Sequence, residues 1–202
     1  DGASSVGLGA ISEVLTRGKA PKYTDAESAL LVLNQKCVRG GIASTEAARR
    51  TSHNAGPMLR QGDVLVNSTG QGTLGRVGLW REPAEATIDS HVTLVRFNCH
   101  AVEPWVAAEV LLASELQIEA LAEGSTGQTE LSRAKLAALQ LEVPSATIQR
   151  ELGSVLEALH ARERAVLEES LTLAELHDTL LPALMSGQLT VRDAKHQVEA
   201  VL

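Results

Sequence analysis

Short apolar runs separated by turn-forming residues dominate the first hundred positions of the chain. Runs of strand length fall at residues 29–33, 63–67 and 76–80, within residues 86–97, and again at residues 139–143. Residues 5–18 form an entry segment that Gly18 closes, and the polar stretch 41–60 is predicted to be irregular. Short strands joined by tight turns predict a mixed, mostly antiparallel, curved sheet.

The pattern changes to helical spacing after Pro104. Residues 105–122 are rich in Ala, Leu and Glu and predict a helix that Gly124 ends. A polar loop at residues 124–130 leads into a short helix that begins near Leu131. The longest predicted helix runs from Ser145 to about Leu181, because this stretch has no proline and Gly153 is its single glycine. The chain is therefore predicted to be an α+β domain at residues 1–143, a long helix at residues 144–187 and a tail at residues 188–202.

The long helix carries an apolar residue at every seventh position and a companion position three residues later. This heptad spacing is typical of a coiled coil, while an amphipathic helix lying on its own domain is the alternative. The predicted contact positions, here called the seam, are Leu152, Val155, Leu159, Arg162, Val166, Glu169, Leu173, Leu176 and Leu180.

Two charged residues interrupt the seam on either side of Val166. If two such helices pair antiparallel about Val166, Arg162 of one helix faces Glu169 of the other. Polar residues at such positions are best known for fixing the register of a coiled coil. The seam therefore predicts a partner helix, either of a second copy in an antiparallel homodimer or of a different chain.

The net charge of -7 hides an uneven distribution along the chain. Residues 17–81 hold ten basic and four acidic residues, a difference of +6. Residues 150–202 hold nine acidic and five basic residues, a difference of -4. Because local charge steers a polyanion, the first half is compatible with nucleic acid despite the acidic total.

Composition excludes several classes of protein. Tyr23, Trp80, Phe97 and Trp105 are the chain's aromatic residues, too few for a protein that stacks or flips bases. Two distant cysteines, at positions 37 and 99, argue against a zinc site or a disulfide scaffold. The sequence shows neither an apolar run long enough for a membrane span nor a signal peptide. We therefore expect a soluble cytoplasmic protein.

Two motifs suggest enzymes but lack the context that the chemistry needs. Residues 70–75 spell G-x-G-x-x-G, yet a β-type run follows them where a dinucleotide site requires a helix. Asp89, Ser90 and His91 are the residue types of a hydrolytic triad, but adjacent residues do not ordinarily converge on one reacting atom. The histidines show no metal-ligand spacing. We therefore predict no catalytic residue, no metal and no enzymatic activity.

Several segments together resemble the specificity subunits of type I restriction-modification systems. Leu-Gly-Ala-Ile at residues 8–11 and Thr-Arg-Gly at 16–18 resemble the opening of a target-recognition domain. The runs Gly-Asp-Val-Leu-Val-Asn-Ser-Thr-Gly at 62–70, Gly-Thr-Leu-Gly-Arg-Val-Gly at 72–78 and Asp-Ser-His-Val-Thr-Leu-Val-Arg at 89–96 resemble its central strands. Residues 124–128, 131–132, 143–144, 149 and 180–187 are similar to the segments around that family's long helix.

The resemblance implies a function that the composition does not give. Such subunits read a split DNA site through two recognition domains, bind no cofactor, and dock the methyltransferase subunits that perform the chemistry. A restriction subunit is a further partner that the sequence leaves open. This chain has one recognition domain and one helix where a full subunit has two of each. The resemblance therefore implies a half-subunit that reads one half of a bipartite site, either as a homodimer or as half of a longer chain.

Candidate DNA contacts lie on the basic and polar loops. They are Arg17, Lys19, Lys22, Lys36, Arg39, Arg49, Arg50, Asn67, Ser68, Thr69, Gln71, Arg76, Ser125, Thr126 and Gln128. Lysine and arginine neutralise phosphates, while amides, hydroxyls and arginine can reach base edges. The alternative function is a module without a DNA role, an inhibitor or decoy that uses the same domain and helix to block an assembly.

Overall fold

A computed structural model of the chain describes residues 2–53, 56–122 and 130–199. The chain divides into two compact units, Asp1–Glu157 and Ala158–Leu202. The first unit holds every strand among these residues, and the second holds most of the long helix and a short one. The α+β class and the long helix predicted from the sequence are confirmed.

The secondary-structure elements are as follows. The strands are β1 (Ser4–Gly7), β2 (Ser12–Arg17), β3 (Tyr23–Thr24), β4 (Leu30–Leu33), β5 (Val38–Arg39), β6 (Gly41–Ala43), β7 (Arg49–Thr51), β8 (Val64–Asn67), β9 (Val77–Trp80), β10 (Ala86–Ile88), β11 (Val92–Phe97) and β12 (Gln140–Val143). The helices are α1 (Leu8–Ile11), α2 (Pro104–Ala113), α3 (Glu115–Ala120), α4 (Arg133–Ala138), α5 (Ala146–Met185) and α6 (Val191–Glu199), with a 3-10 turn at Gln35–Cys37.

A six-stranded mixed sheet forms the centre of the first unit, in the order β2-β11-β8-β9-β6-β5. Its pairs are antiparallel except for β6 with β9. A four-stranded sheet has the order β10-β4-β7-β3, and β1 pairs with β12. The mixed, mostly antiparallel pairing predicted from the short apolar runs is therefore confirmed.

The middle strands β8 and β9 of the central sheet are buried on both faces. In β8, Val64 and Val66 belong to a core that also contains residues of α1, α2, α3 and α4. Leu65, between them, belongs to a second core with Leu33 and Trp80. A strand with two buried faces reads as a continuous apolar run, which is why residues 63–67 are the clearest strand in the sequence.

Residues 41–60, predicted to be irregular, contain the two strands β6 and β7. Each has only three residues, too few for an alternating pattern to stand out. Strand β7 is also polar, and its place is set by pairing with β3 and β4. Tertiary pairing, not local propensity, forms these strands.

Two other predicted elements are each divided in the structure. The strand predicted within residues 86–97 is split into β10 and β11 by a turn, in which the Asp89 carboxylate accepts the backbone N–H of His91 at 2.8 Å. The predicted helix at residues 105–122 is split into α2 and α3 at Ser114. The hydroxyl of Ser114 donates to the carbonyl of Val110 at 2.8 Å, a back-bond that often bends helices.

The first turns of α5 are hydrogen-bonded to other residues of the first unit. The amide oxygen of Gln149 accepts the backbone N–H of Glu103 at 3.0 Å, and its NH2 donates to the carbonyl of Pro144 at 2.7 Å. Gly153 lies so close to Glu103 that an added Cβ would come within 2.4 Å of its carboxyl carbon. These contacts explain why the division between the two units falls inside α5.

Helix α5 runs past the end predicted near Leu181 and ends inside the predicted region 144–187. Helix α5 continues past Pro182 to Met185, where the N–H of Ser186 still reaches the carbonyl of Pro182 at 3.0 Å. The segment predicted as a tail contains α6, whose first turn is capped by Thr190. No described helix is long and apolar enough to cross a membrane. The predicted boundaries at residues 143 and 187 stay a prediction.

Candidate nucleic-acid interface

The glycine loop at residues 68–75 joins β8 to β9 and is held by Asn67. The side-chain NH2 of Asn67 donates to the carbonyls of Gln35 at 2.9 Å and Thr73 at 3.1 Å. Gly75 donates its N–H to the Asn67 carbonyl at 2.9 Å and has a φ of +86°, a conformation that favours glycine. Because β9 begins at Val77 and no helix follows the loop, it lacks the context of a dinucleotide site.

A second segment, residues 130–131, lies beside this loop. The N–H of Leu131 donates to the carbonyl of Ser68 at 2.9 Å, and Thr69 forms a β-bridge with Glu130. Arg17, at the end of β2, forms an ion pair with Glu130 and donates to the carbonyl of Leu131 at 2.7 Å. The structure thus places the glycine loop beside Glu130, the last residue of the polar loop predicted at residues 124–130. Three other predicted site residues, Ser125, Thr126 and Gln128, lie outside the described residues.

Four of the predicted basic contact residues are exposed and lie over no described aromatic ring. They are called here the four exposed cations: Lys19, Lys22, Lys36 and Arg39. In the described part of the chain none of them forms a side-chain hydrogen bond or ion pair. Lys36 and Arg39 line a pocket with a volume of about 530 Å³ beside the 3-10 turn. These side chains are exposed to solvent, and their contact with phosphate stays a prediction.

The other predicted arginines are engaged within the domain. Arg50 donates to the carbonyl of Ala29 at 2.6 Å, and Arg76 donates to the carbonyl of Gly72 at 2.8 Å across the glycine loop. Arg49 lies over the ring of Tyr23, with its guanidinium carbon 3.5 Å from the ring centre. Arg17, Arg50 and Arg76 therefore hold loops in place in this structure.

Asn67 and Ser68 are fully buried, contrary to a role as exposed base readers. The hydroxyl of Ser68 shares a 2.5 Å hydrogen bond with that of Thr93. The NH2 of Asn67 and the hydroxyl of Ser68 are hydrogen-bonded in the interior, whereas Oδ1 of Asn67 has no hydrogen-bond partner among the described residues. A sequence pattern cannot distinguish such buried amides and hydroxyls from exposed ones. Gln71 is exposed and Thr69 half-buried, so these two residues remain on the surface of the loop.

The sequence did not single out Tyr23, His91 or Glu130 as site residues. Nδ1 of His91 lies 2.6 Å from the hydroxyl of Thr69, which ties the glycine loop to the start of β11.

Asp89 is buried, and burial raises the pKa of its carboxyl above the ordinary value. Because Asp89 receives the backbone N–H of His91, the three neighbouring residue types form a turn and not a catalytic triad. No group of three described His, Cys, Asp or Glu residues could hold a metal ion.

The two cysteines are free and differ in environment. Burial raises the pKa of the Cys37 thiol to about 11, whereas Cys99 is exposed. Because the thiolate is the reactive form, we expect a thiol reagent at pH 8 to label only Cys99 in the folded protein. Mass spectrometry after brief labelling would show one modified thiol, and none in Cys99→Ser. Rapid labelling of Cys37 without denaturant would contradict the burial.

The long helix exposes apolar side chains along the seam. Leu152, Val155, Leu159, Val166 and Leu173 are between 44% and 57% exposed. Leu176 and Leu180 are half-buried, while Arg162 and Glu169 are exposed. A row of half-exposed leucines and valines at heptad spacing is typical of a surface that another helix covers.

Comparison with known proteins relates the chain to one class of solved structures. The sequence matches no protein-family model and no curated protein. Its structure is similar to the S subunit of a type I restriction-modification system from M. genitalium, with a TM-score of 0.68 and 17% identity over 98% of this chain. The HsdS subunit from Thermoanaerobacter tengcongensis matches 93% of the chain, with a TM-score of 0.56 and 17% identity. A chain of a type I restriction-modification complex, solved to explain its assembly and conformational transition, matches 90%, with a TM-score of 0.57 and 17% identity.

The match covers only part of each relative. The chain spans 50%, 46% and 45% of the lengths of these three proteins. The chain therefore has the fold of one half of a type I restriction-modification specificity subunit.

Proposed function

We propose that this protein reads one half of a bipartite DNA site for a type I restriction-modification system and performs no chemistry itself. The observation that carries the proposal is the match of 98% of the chain to half of an S subunit. In this proposal the methyltransferase subunits, and a restriction subunit where one is present, dock on the chain and supply catalysis. Neither a cofactor nor a metal is required by the recognition step.

The DNA-contacting surface that we propose combines the four exposed cations with the glycine loop. Lys19, Lys22, Lys36 and Arg39 neutralise phosphates and position the duplex. Gln71 on the exposed side of the loop can reach base edges, whereas the hydroxyl of the half-buried Thr69 is held by His91. Asn67, Ser68 and Arg76 support the loop through the internal bonds described above.

Fluorescence anisotropy with a labelled random duplex across a salt series tests the proposal. A DNA reader must bind without sequence preference at low salt, and the affinity must fall linearly on a double-logarithmic plot as salt rises. A protein that serves as an inhibitor or decoy shows no such binding. Absence of salt-dependent binding by the full chain would overturn the proposal.

We further propose that two copies of the chain pair through the seam. Self-pairing removes the exposed leucines and valines from water and gives a symmetric assembly with two recognition domains. Such an assembly reads a two-fold symmetric split site, because protein symmetry is mirrored in the DNA. In an antiparallel pair centred near Val166, Arg162 of one helix lies near Glu169 of the other.

The pairing predicts opposite effects of single and double charge reversal. Arg162→Glu places like charges together twice in the dimer and should weaken the dimer about thirtyfold. Each of the two exposed pairs loses ~0.5 kcal/mol of attraction and gains ~0.5 kcal/mol of repulsion, ~2 kcal/mol in total. Arg162→Glu combined with Glu169→Arg restores the opposite charges and should return the dimer. Light scattering during gel filtration gives the molar mass at each concentration. Equal assembly of the single and double variants would contradict the pairing.

The docking surface that we propose for the methyltransferase is a second apolar row on α5. This outer stripe consists of Leu167, Leu171, Leu181 and Met185, which are 45% to 81% exposed. Each helical residue advances about 100° around the axis, so Leu167 and Leu171 lie about 100° and 140° from Val166, away from the Glu169 side. A helix that pairs through the seam therefore still presents the outer stripe to another subunit.

A further inference from the structure

Arg49 and Tyr23 form a stacked pair on the four-stranded sheet. Strand β3 pairs with β7 so that Tyr23 lies opposite Thr51, which places Arg49 on the diagonal neighbour position of the same face. The guanidinium carbon of Arg49 is 3.5 Å from the centre of the Tyr23 ring. The ring therefore limits the orientations that the guanidinium plane can adopt.

Tyr23 differs from the other aromatic residues of this chain in its exposure and in its contact with an arginine. Among its four aromatic residues, Trp80 and Phe97 are buried in the two cores and Trp105 packs against Gly62. Tyr23 is 40% exposed and lies on a sheet edge, where its ring contributes to neither core. Its face is covered by one exposed arginine.

The hydrogen-bond donors of Arg49 are not used within the described part of the chain. The guanidinium groups of Arg17, Arg50 and Arg76 donate to backbone carbonyls. The guanidinium of Arg49 instead lies against the ring of Tyr23. A ring face fixes a guanidinium without consuming its N–H groups. Arg49 is thus oriented while its planar fork of donors stays free.

We propose that Arg49 reads a guanine of the half-site and that Tyr23 is its positioning residue. Guanine presents O6 and N7 side by side in the major groove, and an arginine fork can donate to both. A lysine offers a point charge without this planar geometry. The inference rests on the proposed DNA-reading function and deepens it, because it assigns one G·C pair to the recognised sequence.

Selection from a duplex library with a randomised half-site, using the full chain, tests the assignment. The wild-type protein should enrich guanine at one position by about tenfold to hundredfold over other bases. Arg49→Lys should reduce that enrichment, because a lysine can donate to the same guanine atoms but lacks the planar fork, and it should leave the other positions unchanged. Tyr23→Phe, which keeps the ring face, should retain the enrichment, and Tyr23→Leu should reduce it.

Arg133→Lys is the matched control, since Arg133 is an exposed arginine on α4, outside the proposed DNA-contacting surface and without an aromatic partner among the described residues. It should preserve the enriched sequence. Methylation of guanine N7 in the selected duplex supplies a second measurement: it should block wild-type binding at one guanine and have a smaller effect on Arg49→Lys.

The outcomes separate this inference from the function on which it rests. An enriched sequence without guanine, or one that Arg49→Lys leaves unchanged, would overturn the role of Arg49 while DNA reading stands. Failure of the wild-type chain to bind random duplex with salt dependence would instead remove the proposed function itself. Circular dichroism confirms that each variant is folded before selection.

Discussion

Replacement of Asp63 by alanine is expected to destabilise the first unit by about 3–5 kcal/mol, the range for breaking a buried ion pair on one side. Asp63 is almost completely buried and accepts from Nε and Nη2 of Arg96 at 2.7 and 2.6 Å. It also accepts the backbone N–H of Arg60 at 2.7 Å. The Asp63 carboxylate raises the pKa of Arg96 above its ordinary value. Its removal leaves a charged guanidinium in a largely buried place without its partner.

Urea unfolding followed by tryptophan fluorescence measures the loss, because Trp80 and Trp105 both belong to the first unit. A shift of the thermal midpoint by roughly 10 °C should accompany it. Asp25→Ala, at an exposed aspartate, is the matched control and should change stability by less than about 0.5 kcal/mol. Asp63→Ala combined with Arg96→Met should recover part of the loss, since the unpaired charge is gone. Equal destabilisation by the single and double variants would contradict this account.

The same region shows which parts of the fold a sequence can predict. Residues 63–67 read as a strand because Val64, Leu65 and Val66 fill cores on both sides of one sheet. The ion pair between Asp63, just before this strand, and Arg96 is not visible in the sequence. Arg96 faces Asp63 only because β11 pairs with β8 in the register that sets Val95 opposite Val64. Such contacts depend on strand pairing across thirty-three positions, which local patterning does not encode.

The candidate site shows the corresponding limit for function. The basic residues between positions 17 and 50 were predicted together as DNA contacts, yet the structure divides them by what each side chain touches. Arg50 donates to Ala29, whereas Lys36 and Arg39 are exposed beside one concave surface. Asn67 is a residue type that can read base edges, but its side chain is fully buried and holds the glycine loop in place. Residue type suggests which chemistry is possible, and only packing decides whether the group is free to perform it.

The long helix is predicted more completely than the domain because its signal is local. Heptad spacing over residues 152–180 requires no long-range contact to be recognised, and α5 spans the whole of it. The spacing of the seam does not reveal the outer stripe, since Leu167 and Leu171 fall at positions that a coiled coil leaves on its outside. The exposure of these side chains in the structure identifies them.

Replacement of Leu171 by aspartate is expected to abolish docking of the methyltransferase while leaving dimerisation and DNA binding intact. Leu171 is 63% exposed on the outer stripe, and its position lies about 140° from Val166, so the change does not enter the seam. Burying an unpaired carboxylate in an apolar interface should weaken binding by at least about hundredfold, from ~3 kcal/mol or more.

Co-purification of the chain with a tagged methyltransferase subunit, followed by titration calorimetry, measures this effect. Leu116→Asp is the matched control, because Leu116 is an 81% exposed leucine on α3 outside the stripe. It should retain docking, and both variants should keep the wild-type molar mass and salt-dependent DNA binding. If Leu171→Asp binds the methyltransferase as well as Leu116→Asp does, another surface holds that subunit. If Leu171→Asp instead loses the dimer, the apolar face that pairs two copies includes the outer stripe, and the assignment of separate faces is wrong.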